Sequence, residues 1–453
     1  MGQTTIAITM VLAAGLSFLA ASCVPLQGPS SAKPGGPATS HAEAYYQWLS
    51  GCLDGIEKDL PVITASAEQA AAAYLQDGWE IGVFGDRGMV GEFNSRAGGL
   101  MRTHRPEALE KADWKGIVLL FPRETSLAKD LAKAQEFLKQ GKLVIGFGGP
   151  AVRQAARSAG LEWTAFVDTH AAASGGLFPV AGGAWVVPTD PPANIAAMWT
   201  WTAEFVGALT RRGKMPPIYQ SIMVPTAQER NKPYANLKFH EAVPQKVAAG
   251  ELGRDYLTHL RKALATLREQ DMGSIVKVAE QAVAARQAGC QSHVFAHGHA
   301  IRYDLGIPHD PGYLHQVNRG LFELKDKPGI AKGDFIFCVG YDRIFQGWYF
   351  ENATDRMRAA GATFAWSMTD YNQDPKIGPA AVPAGEIIVW QHWALGDAVA
   401  TVPGYDIKIL PPSGVIGEAV LWMTEAQMLA ILGPDSVAVP TSQPGPATPT
   451  QPK

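Results

Sequence analysis

Most of the residues able to do chemistry lie in two glycine turns, each of which follows a short apolar run. The first stretch, Ile81 to Met101, is typical of a strand, a turn from Gly85 to Gly88, and a helix. Strand, glycine turn and helix open a βαβ unit, and the first N–H groups of such a helix suit an anion. Arg87 offers that anion a guanidinium, unless it forms a solvated ion pair with Asp86.

Glu92 follows this turn and has two alternative roles. If it is partly buried, its pKa rises toward neutrality and it becomes a candidate general base. If it is exposed, it is a glutamate near the start of a helix, where the helix dipole favours a negative charge. The sequence leaves both alternatives open, and Glu92 is the candidate catalytic residue.

The second turn is rich in histidine. Two imidazoles on one side of a turn, completed by a third, make a zinc site with an open position. The alternative, which the spacing favours, is a set of hydrogen-bonded loop histidines that line a ligand pocket, so no metal or other cofactor is predicted. The residues concerned are His297, Gly298 and His299, with His293, His309, His315, Asp304 and Asp310 near them in sequence.

Apolar runs of strand length alternate with helical patterns, which indicates parallel sheets buried on both faces. Two helices within Ala42 to Leu75 precede the order β, α, β, α, β in the first half. A helix pair, Tyr256 to Glu269 and Ile275 to Ala288, precedes a similar order in the second half, where Ala398 to Val402 is a further predicted strand. We expect an α/β fold with tandem doubly wound domains, packed through their first helices as a pseudo-dimer.

Length and composition bound the class of protein. The chain has 453 residues, which is long enough for two or three domains. Of these residues 47% are apolar and 18% are charged, a composition typical of globular domains. Its net charge is −3 without a basic block, so no nucleic-acid partner is predicted. The predicted divisions are a signal segment (1–23), a flexible linker (24–41), domain 1 (42–235), an inter-domain linker (236–250), domain 2 (251–433) and a disordered tail (434–453).

The N-terminus is typical of an export signal. Ile6 to Ala21 is apolar but too short for a good membrane span, and it leads into a lipoprotein-type box that ends at Cys23. We expect cleavage and lipidation at Cys23, with ordinary secretion and an uncleaved anchor as alternatives. The expected location is the cell envelope, with the chain attached to a membrane by its lipid.

The chain resembles sugar isomerase (SIS) domains, of which one bacterial branch shows Phe-Gly-x-Gly-His-Ser, then Glu, then Arg-Ala-Gly-Gly-Leu. This resemblance implies tandem flavodoxin-like three-layer domains that bind phosphosugars. In such domains Ser and Thr residues of two loops hold the phosphate, and a Glu moves a proton between C1 and C2. The similar segments are Phe84-Gly85, Glu92, Arg96 to Leu100, Pro216 to Ser221, Glu229 to Asn231, Phe295 to Ala300 and Ser413 to Gly417.

Several features of the family are missing. The first turn lacks the His-Ser and carries Asp86, a carboxylate that repels a phosphate. The second phosphate loop keeps only the hydroxyls of Thr125 and Ser126, and Arg230 stands in place of a histidine, although an arginine cannot act as a base. The predicted ligand-binding residues are Gly85, Arg87, Gly88, Thr125, Ser126, Arg230, His297, Gly298, His299 and Ser413.

We therefore expect a cell-envelope protein that binds a small carbohydrate derivative, a phosphosugar or an amino sugar, through degenerate SIS domains. Three alternatives stay open: an active aldose–ketose isomerase that uses Glu92, metal-assisted hydrolysis at the second-half histidines, and a structural lipoprotein with empty pockets.

Overall fold

The computed structural model describes residues 40–241, 245–317, 329–341, 353–371 and 378–437. Two parallel sheets run through it, each with helices packed against both faces, which confirms the predicted α/β class. The signal segment, Cys23 and most of the C-terminal tail lie outside the described residues.

The first half begins with two helices, which separate where Pro61 enters the first turn of the second and cannot continue the first. Its later strands are buried on both faces, as their apolar runs predict. The elements are α1 (His41–Lys58), α2 (Leu60–Tyr74), β1 (Trp79–Gly85), α3 (Arg87–Phe93), α4 (Pro106–Leu109), β2 (Lys115–Phe121), α5 (Leu127–Lys139), β3 (Leu143–Gly148), α6 (Pro150–Ser158), β4 (Ala165–Asp168), the antiparallel pair β5 (Gly176–Pro179) and β6 (Trp185–Pro188), α7 (Asp190–Arg211) and α8 (Ala227–Asn231).

The second half departs from the sequence prediction at its start. The expected helix pair is one helix of 37 residues, because the segment between the two predicted helices contains no proline and Gly273 costs only about 1 kcal/mol relative to alanine. The predicted strand at Ala398 to Val402 is a single bridge between Ala400 and Ile409. The elements are α9 (Glu251–Gln287), β7 (Ser292–Ala296), β8 (His315–Gln316), β9 (Phe335–Val339), α10 (Ala353–Ala359), β10 (Thr363–Met368), β11 (Ile387–Trp390) and α11 (Ser413–Leu432).

The two sheets have related strand orders. The second sheet runs β8-β7-β9-β10-β11, which is 2-1-3-4-5 in order of appearance. The first runs β1-β2-β3-β4, and His104 forms a parallel bridge to Gly82 on the free side of β1. If this bridge counts as a reduced second strand, both halves have the flavodoxin-like order, in which ligands bind beyond the carboxyl ends of the first and third strands.

A layer of helices lies between the two sheets. It contains α1, α2 and α7 of the first half and α9 and α11 of the second, which contact one another across the junction. Among the described residues, α11 is the one helix long and apolar enough to cross a membrane, yet 83% of its most apolar window is buried inside the protein. Burial of this extent is typical of a core helix.

Gly85 fixes the start of the first turn. Its φ is +107°, and a Cβ at this position would lie 2.0 Å from the carbonyl oxygen of Phe121. That same carbonyl accepts a hydrogen bond of 2.9 Å from the backbone N–H of Asp86. Only glycine allows this approach, and the approach brings the turn after β1 beside the loop after β2.

Candidate functional site

A cavity of about 180 Å³ opens where the turn after β1 and the loop after β2 face the second half of the chain. We call it the acidic cavity. First-half residues come from the two loops and from the start of α7, and second-half residues come from the segment after β7. Its polar lining consists of Asp86, Arg87, Arg123, Glu124, Thr125, Asp190, Asn194, Tyr303, Asp304 and His309.

Asp86 occupies the position that the sequence analysis assigned to an anion. Its side chain caps α3 by accepting a hydrogen bond of 3.0 Å from the N–H of Met89. Burial raises the pKa of this carboxyl, and backbone hydrogen bonds partly oppose the shift. The helix therefore supplies its own negative partner, and its N–H groups are less open to an external phosphate than predicted.

The start of α7 presents two polar groups to the cavity, one turn apart. Burial, followed by the charge of Glu124, raises the pKa of Asp190 to about 7, although the helix N-terminus favours its ionised form. The Oδ1 atom of Asn194 is buried and has no hydrogen-bond partner within the described part of the chain. An unsatisfied buried acceptor costs about 1–3 kcal/mol unless a donor arrives, so this wall is suited to a ligand's hydroxyl or amine.

A pair of carboxyl groups forms the opposite wall. Asp304 lies next to Glu418, which is behind it on α11 and accepts a hydrogen bond of 2.8 Å from Trp422 Nε1. Two buried carboxyl groups this close disfavour each other's ionised form. Burial raises the pKa of both, that of Glu418 to about 8. Gly88 allows the close approach, since a Cβ there would lie 2.7 Å from Asp304 Oδ1.

His309 ties the second half to the rim of the cavity. Its Nδ1 lies 2.7 Å from the carbonyl oxygen of Trp185, and its Nε2 lies 2.8 Å from a carboxylate oxygen of Glu124. Both partners only accept, so both ring nitrogens carry protons and the ring is an imidazolium. Accordingly, the hydrogen bond with Glu124 raises the pKa of His309 and lowers that of Glu124. The N–H of Val187 also donates to the His309 carbonyl, at 2.7 Å.

Four of the predicted residues meet in a second cavity, of about 10 Å³, at the corresponding turn of the second half. Burial, followed by the charges of Arg302 and Arg96, lowers the pKa of His297 to about 4 and that of His299 to about 2, so both rings are neutral. A space of this size holds about one water molecule and is far smaller than a ligand pocket of about 300–1,000 Å³. The predicted residues that line this histidine cavity are His297, Gly298, His299 and Ser413.

Arg96 links the two halves beside the histidine cavity. Its guanidinium lies 3.0 Å from Glu92 Oε1 and 2.8 Å from Asp397 Oδ2, and it also hydrogen-bonds to the Ser413 hydroxyl. Ser413 in turn donates to Asp397 at 2.9 Å, and Trp199 Nε1 donates to Glu92 at 3.1 Å. All five side chains are buried. We call this group the Arg96 network.

Glu92 is therefore not the exposed helical glutamate of the sequence analysis. It is fully buried, and burial raises its pKa while the adjacent Arg96 lowers it. It is absent from the lining of both the acidic and the histidine cavity. The proton-transfer role requires Glu92 to face a pocket beside Thr125 and Ser126, and it faces Arg96 and Trp199 instead.

The remaining predicted residues divide between the cavities and structural contacts. Gly85 and Arg87 lie at the turn, and Thr125 lines the acidic cavity. Ser126 donates instead to Asp130 at 2.9 Å. Arg230 pairs with Asp406 at 2.9 Å, away from both cavities, and joins the first half to a loop of the second.

The second-half histidines do not converge. His299 lies 3.3 Å from the carbonyl of Gly91, His293 lies 3.6 Å from Asp334, and His309 reaches Glu124. Among the described residues, no group of three or more His, Cys, Asp or Glu side chains is placed to hold a metal ion. The convergence that metal-assisted hydrolysis requires is therefore not found there.

Comparisons with known proteins give similar folds at low identity. No protein-family model matches the chain, and no curated protein does. The C-terminal domain of a glucosamine-fructose-6-phosphate aminotransferase from Francisella tularensis is 13% identical over 83% of this chain and 96% of its own, with a TM-score of 0.40. A proposed phosphosugar isomerase from Silicibacter pomeroyi DSS-3 is 12% identical over 84% of this chain and 96% of its own, with a TM-score of 0.40. Another, from Clostridium difficile 630, is 9% identical over 88% of this chain and 95% of its own, with a TM-score of 0.43. Scores at this level do not assign a function to this chain.

We predict that Arg96→Met lowers the free energy of unfolding by about 3–5 kcal/mol, because it leaves Glu92 and Asp397 buried without their cation. Denaturant unfolding measures this change. Arg157→Met, which removes an exposed guanidinium elsewhere, is the matched control and should change stability by less than about 0.5 kcal/mol. Equal small losses in both variants would show that the Arg96 network does not hold the halves together.

The His309 contact predicts a pH dependence. Because the folded-state pKa of His309 is raised, its stabilisation is complete below the unfolded pKa of about 6.5 and is lost as pH rises through the folded value. Over that pH window the free energy of unfolding should fall more for the wild type than for His309→Asn. Asparagine is the replacement because it tolerates the left-handed backbone at this position. Glu124→Gln removes the carboxylate partner and should show the same reduced pH dependence as His309→Asn. If the free energy of unfolding changes with pH equally in all three proteins, the assignment of this contact is wrong.

Proposed function

We propose that the chain binds an amino sugar or a similar hydroxyl-rich carbohydrate derivative in the acidic cavity. The observation that carries this proposal is the set of acceptor groups that the two halves direct into one space. Asp86, Glu124, Asp190 and Asp304 line it, and the Asn194 oxygen has no donor among the described residues. Ammonium and hydroxyl groups are the donors that such acceptors take.

The same lining argues against a phosphate in this cavity. Among the cations of the described lining, Arg123 is engaged by Asp130 and His309 by Glu124, which leaves Arg87 to offset the carboxyl groups. An anion beside Asp86, Asp190 and Asp304 is repelled by each of these carboxyl groups that is ionised. Of the two ligand classes that the sequence suggested, the amino sugar is therefore favoured over the phosphosugar at this site.

An exposed aromatic ring in the lining supports a sugar ligand. Tyr303 lines the cavity and is 40% exposed. A large aromatic side chain in water is a candidate for stacking on an amphipathic ring. The apolar face of a pyranose would cover it while the sugar hydroxyls reach the carboxyl groups.

Two further proposals concern the whole chain. The related strand orders support an internal duplication that forms a pseudo-dimer of degenerate SIS-like domains.

The Cys23 box supports a lipid anchor in the cell envelope. Incorporation of labelled palmitate into the wild-type chain in a bacterial host, and its loss in Cys23→Ser, is the expected result. Labelling of both chains, or of neither, would contradict the anchor.

Isothermal titration of the purified chain with glucosamine tests the binding proposal. We expect saturable binding that Asp190→Asn weakens about tenfold or more, because a charge-assisted hydrogen bond contributes about 1.5–3 kcal/mol. Asp113→Asn removes an exposed carboxyl outside the cavity and should bind as the wild type does. No binding by the wild type, or equal affinity in all three proteins, would refute the assignment of the acidic cavity.

A further inference from the structure

A second opening, of about 680 Å³, lies on the other side of the turn after β1. The parallel bridge between His104 and Gly82 brings Arg105 to the edge of the sheet beside Gly85. We call this opening, which Arg87, Arg105 and Arg123 line, the arginine cleft. Arg87, Arg123 and Tyr303 also line the acidic cavity, so the two spaces share a wall.

The cleft has an excess of positive charge that is open to a ligand. Arg123 is neutralised by Asp130, whose two carboxylate oxygens lie 2.9 and 3.1 Å from its guanidinium. Arg87 and Arg105 are exposed, and neither has an ion pair within the described part of the chain. Glu107 is the one carboxylate that accompanies them in the lining. Two unpaired guanidinium groups therefore face one carboxylate.

The charges of the two spaces are opposite. The acidic cavity repels an anion, whereas exposed arginines present paired N–H donors that match a carboxylate or a phosphate. The loop hydroxyl of Ser126, which the sequence analysis assigned to a phosphate, is turned toward Asp130. An anionic group on a ligand bound in the acidic cavity would therefore find positive charge in the arginine cleft, on the other side of Arg87 and Tyr303.

We propose that the arginine cleft is a subsite for an acidic substituent of the same ligand, and that this ligand is an amino sugar carrying a carboxylate or a phosphate. The inference rests on the proposed function for the amine and hydroxyl end. It assigns a new role, recognition of the anion, to Arg105, and it places the anion predicted for Arg87 on this side of the turn. Arg105 lines the cleft but not the acidic cavity, so it separates the two ends of the ligand experimentally.

Titrations of the full chain with four probes test this subsite: glucosamine, muramic acid, glucosamine 6-phosphate and inorganic phosphate. At low ionic strength at least one of the two acidic sugars should bind about tenfold more tightly than glucosamine, and the advantage should shrink in high salt. Arg105→Ala should remove the advantage and leave the glucosamine affinity unchanged. Arg157→Ala, an exposed arginine outside the cleft, is the control and should alter neither.

The outcomes distinguish this inference from the function on which it rests. Preference for muramic acid or for glucosamine 6-phosphate identifies the anion as a carboxylate or a phosphate. Acidic sugars that bind no more tightly than glucosamine, or an advantage that survives Arg105→Ala, would overturn the subsite alone. If glucosamine does not bind while phosphate binds and Arg105→Ala weakens it, the amino-sugar function fails and the cleft stands as an anion site.

Discussion

The buried ion pairs of Arg96 are the constraint on which the arrangement of the two halves depends. One guanidinium satisfies a carboxylate from each half, Glu92 and Asp397, in a region without water access. Such a group is stable only when every partner is present, because an unpaired buried charge costs several kcal/mol. The network therefore fixes α3 against the start of α11. Those two helices carry Gly88 and Glu418, which set the position of Asp304 in the acidic cavity.

The distribution of charged groups around this junction determines the chemistry of the site. The turn after β1 separates a space lined by carboxyl groups from a cleft lined by arginines, and Arg87 belongs to both. Burial and mutual repulsion raise the pKa of these carboxyl groups, that of Asp190 to about 7 and that of Glu418, behind Asp304, to about 8. His309, held as an imidazolium between Glu124 and Trp185, joins the second half to the rim. The acidic cavity and the His309 contact need both halves of the chain, whereas the three arginines of the cleft come from the first half.

Local patterns predicted the fold more fully than they predicted the site. Buried strands such as Lys115–Phe121 and Leu143–Gly148 are apolar along their length, and Gly85 marks a turn that no other residue can make. The helix pair predicted at Tyr256 to Glu269 and Ile275 to Ala288 is the single helix α9, because packing along its length outweighs the small cost of the glycine near its middle.

The site was harder to predict because its residues meet across the junction. The sequence identified the turn residues Gly85, Arg87 and Thr125, which do line the cavities. It gave Asp190 no role in the site, although a carboxyl at the start of a helix that follows a strand was a usable signal. Nothing local indicated that Glu92 would meet Asp397 through Arg96, since that contact spans more than 300 residues.

The central claim is that the space between the halves, rather than the histidine cavity, receives the sugar. A crystal structure of the chain grown with glucosamine tests it most directly. We predict a sugar in the acidic cavity, with its amine or hydroxyl groups within about 3.2 Å of Asp190, Asn194 or Asp304 oxygens. A sugar bound instead beside His297 and Ser413, or an acidic cavity that stays empty at saturating glucosamine, would contradict the account.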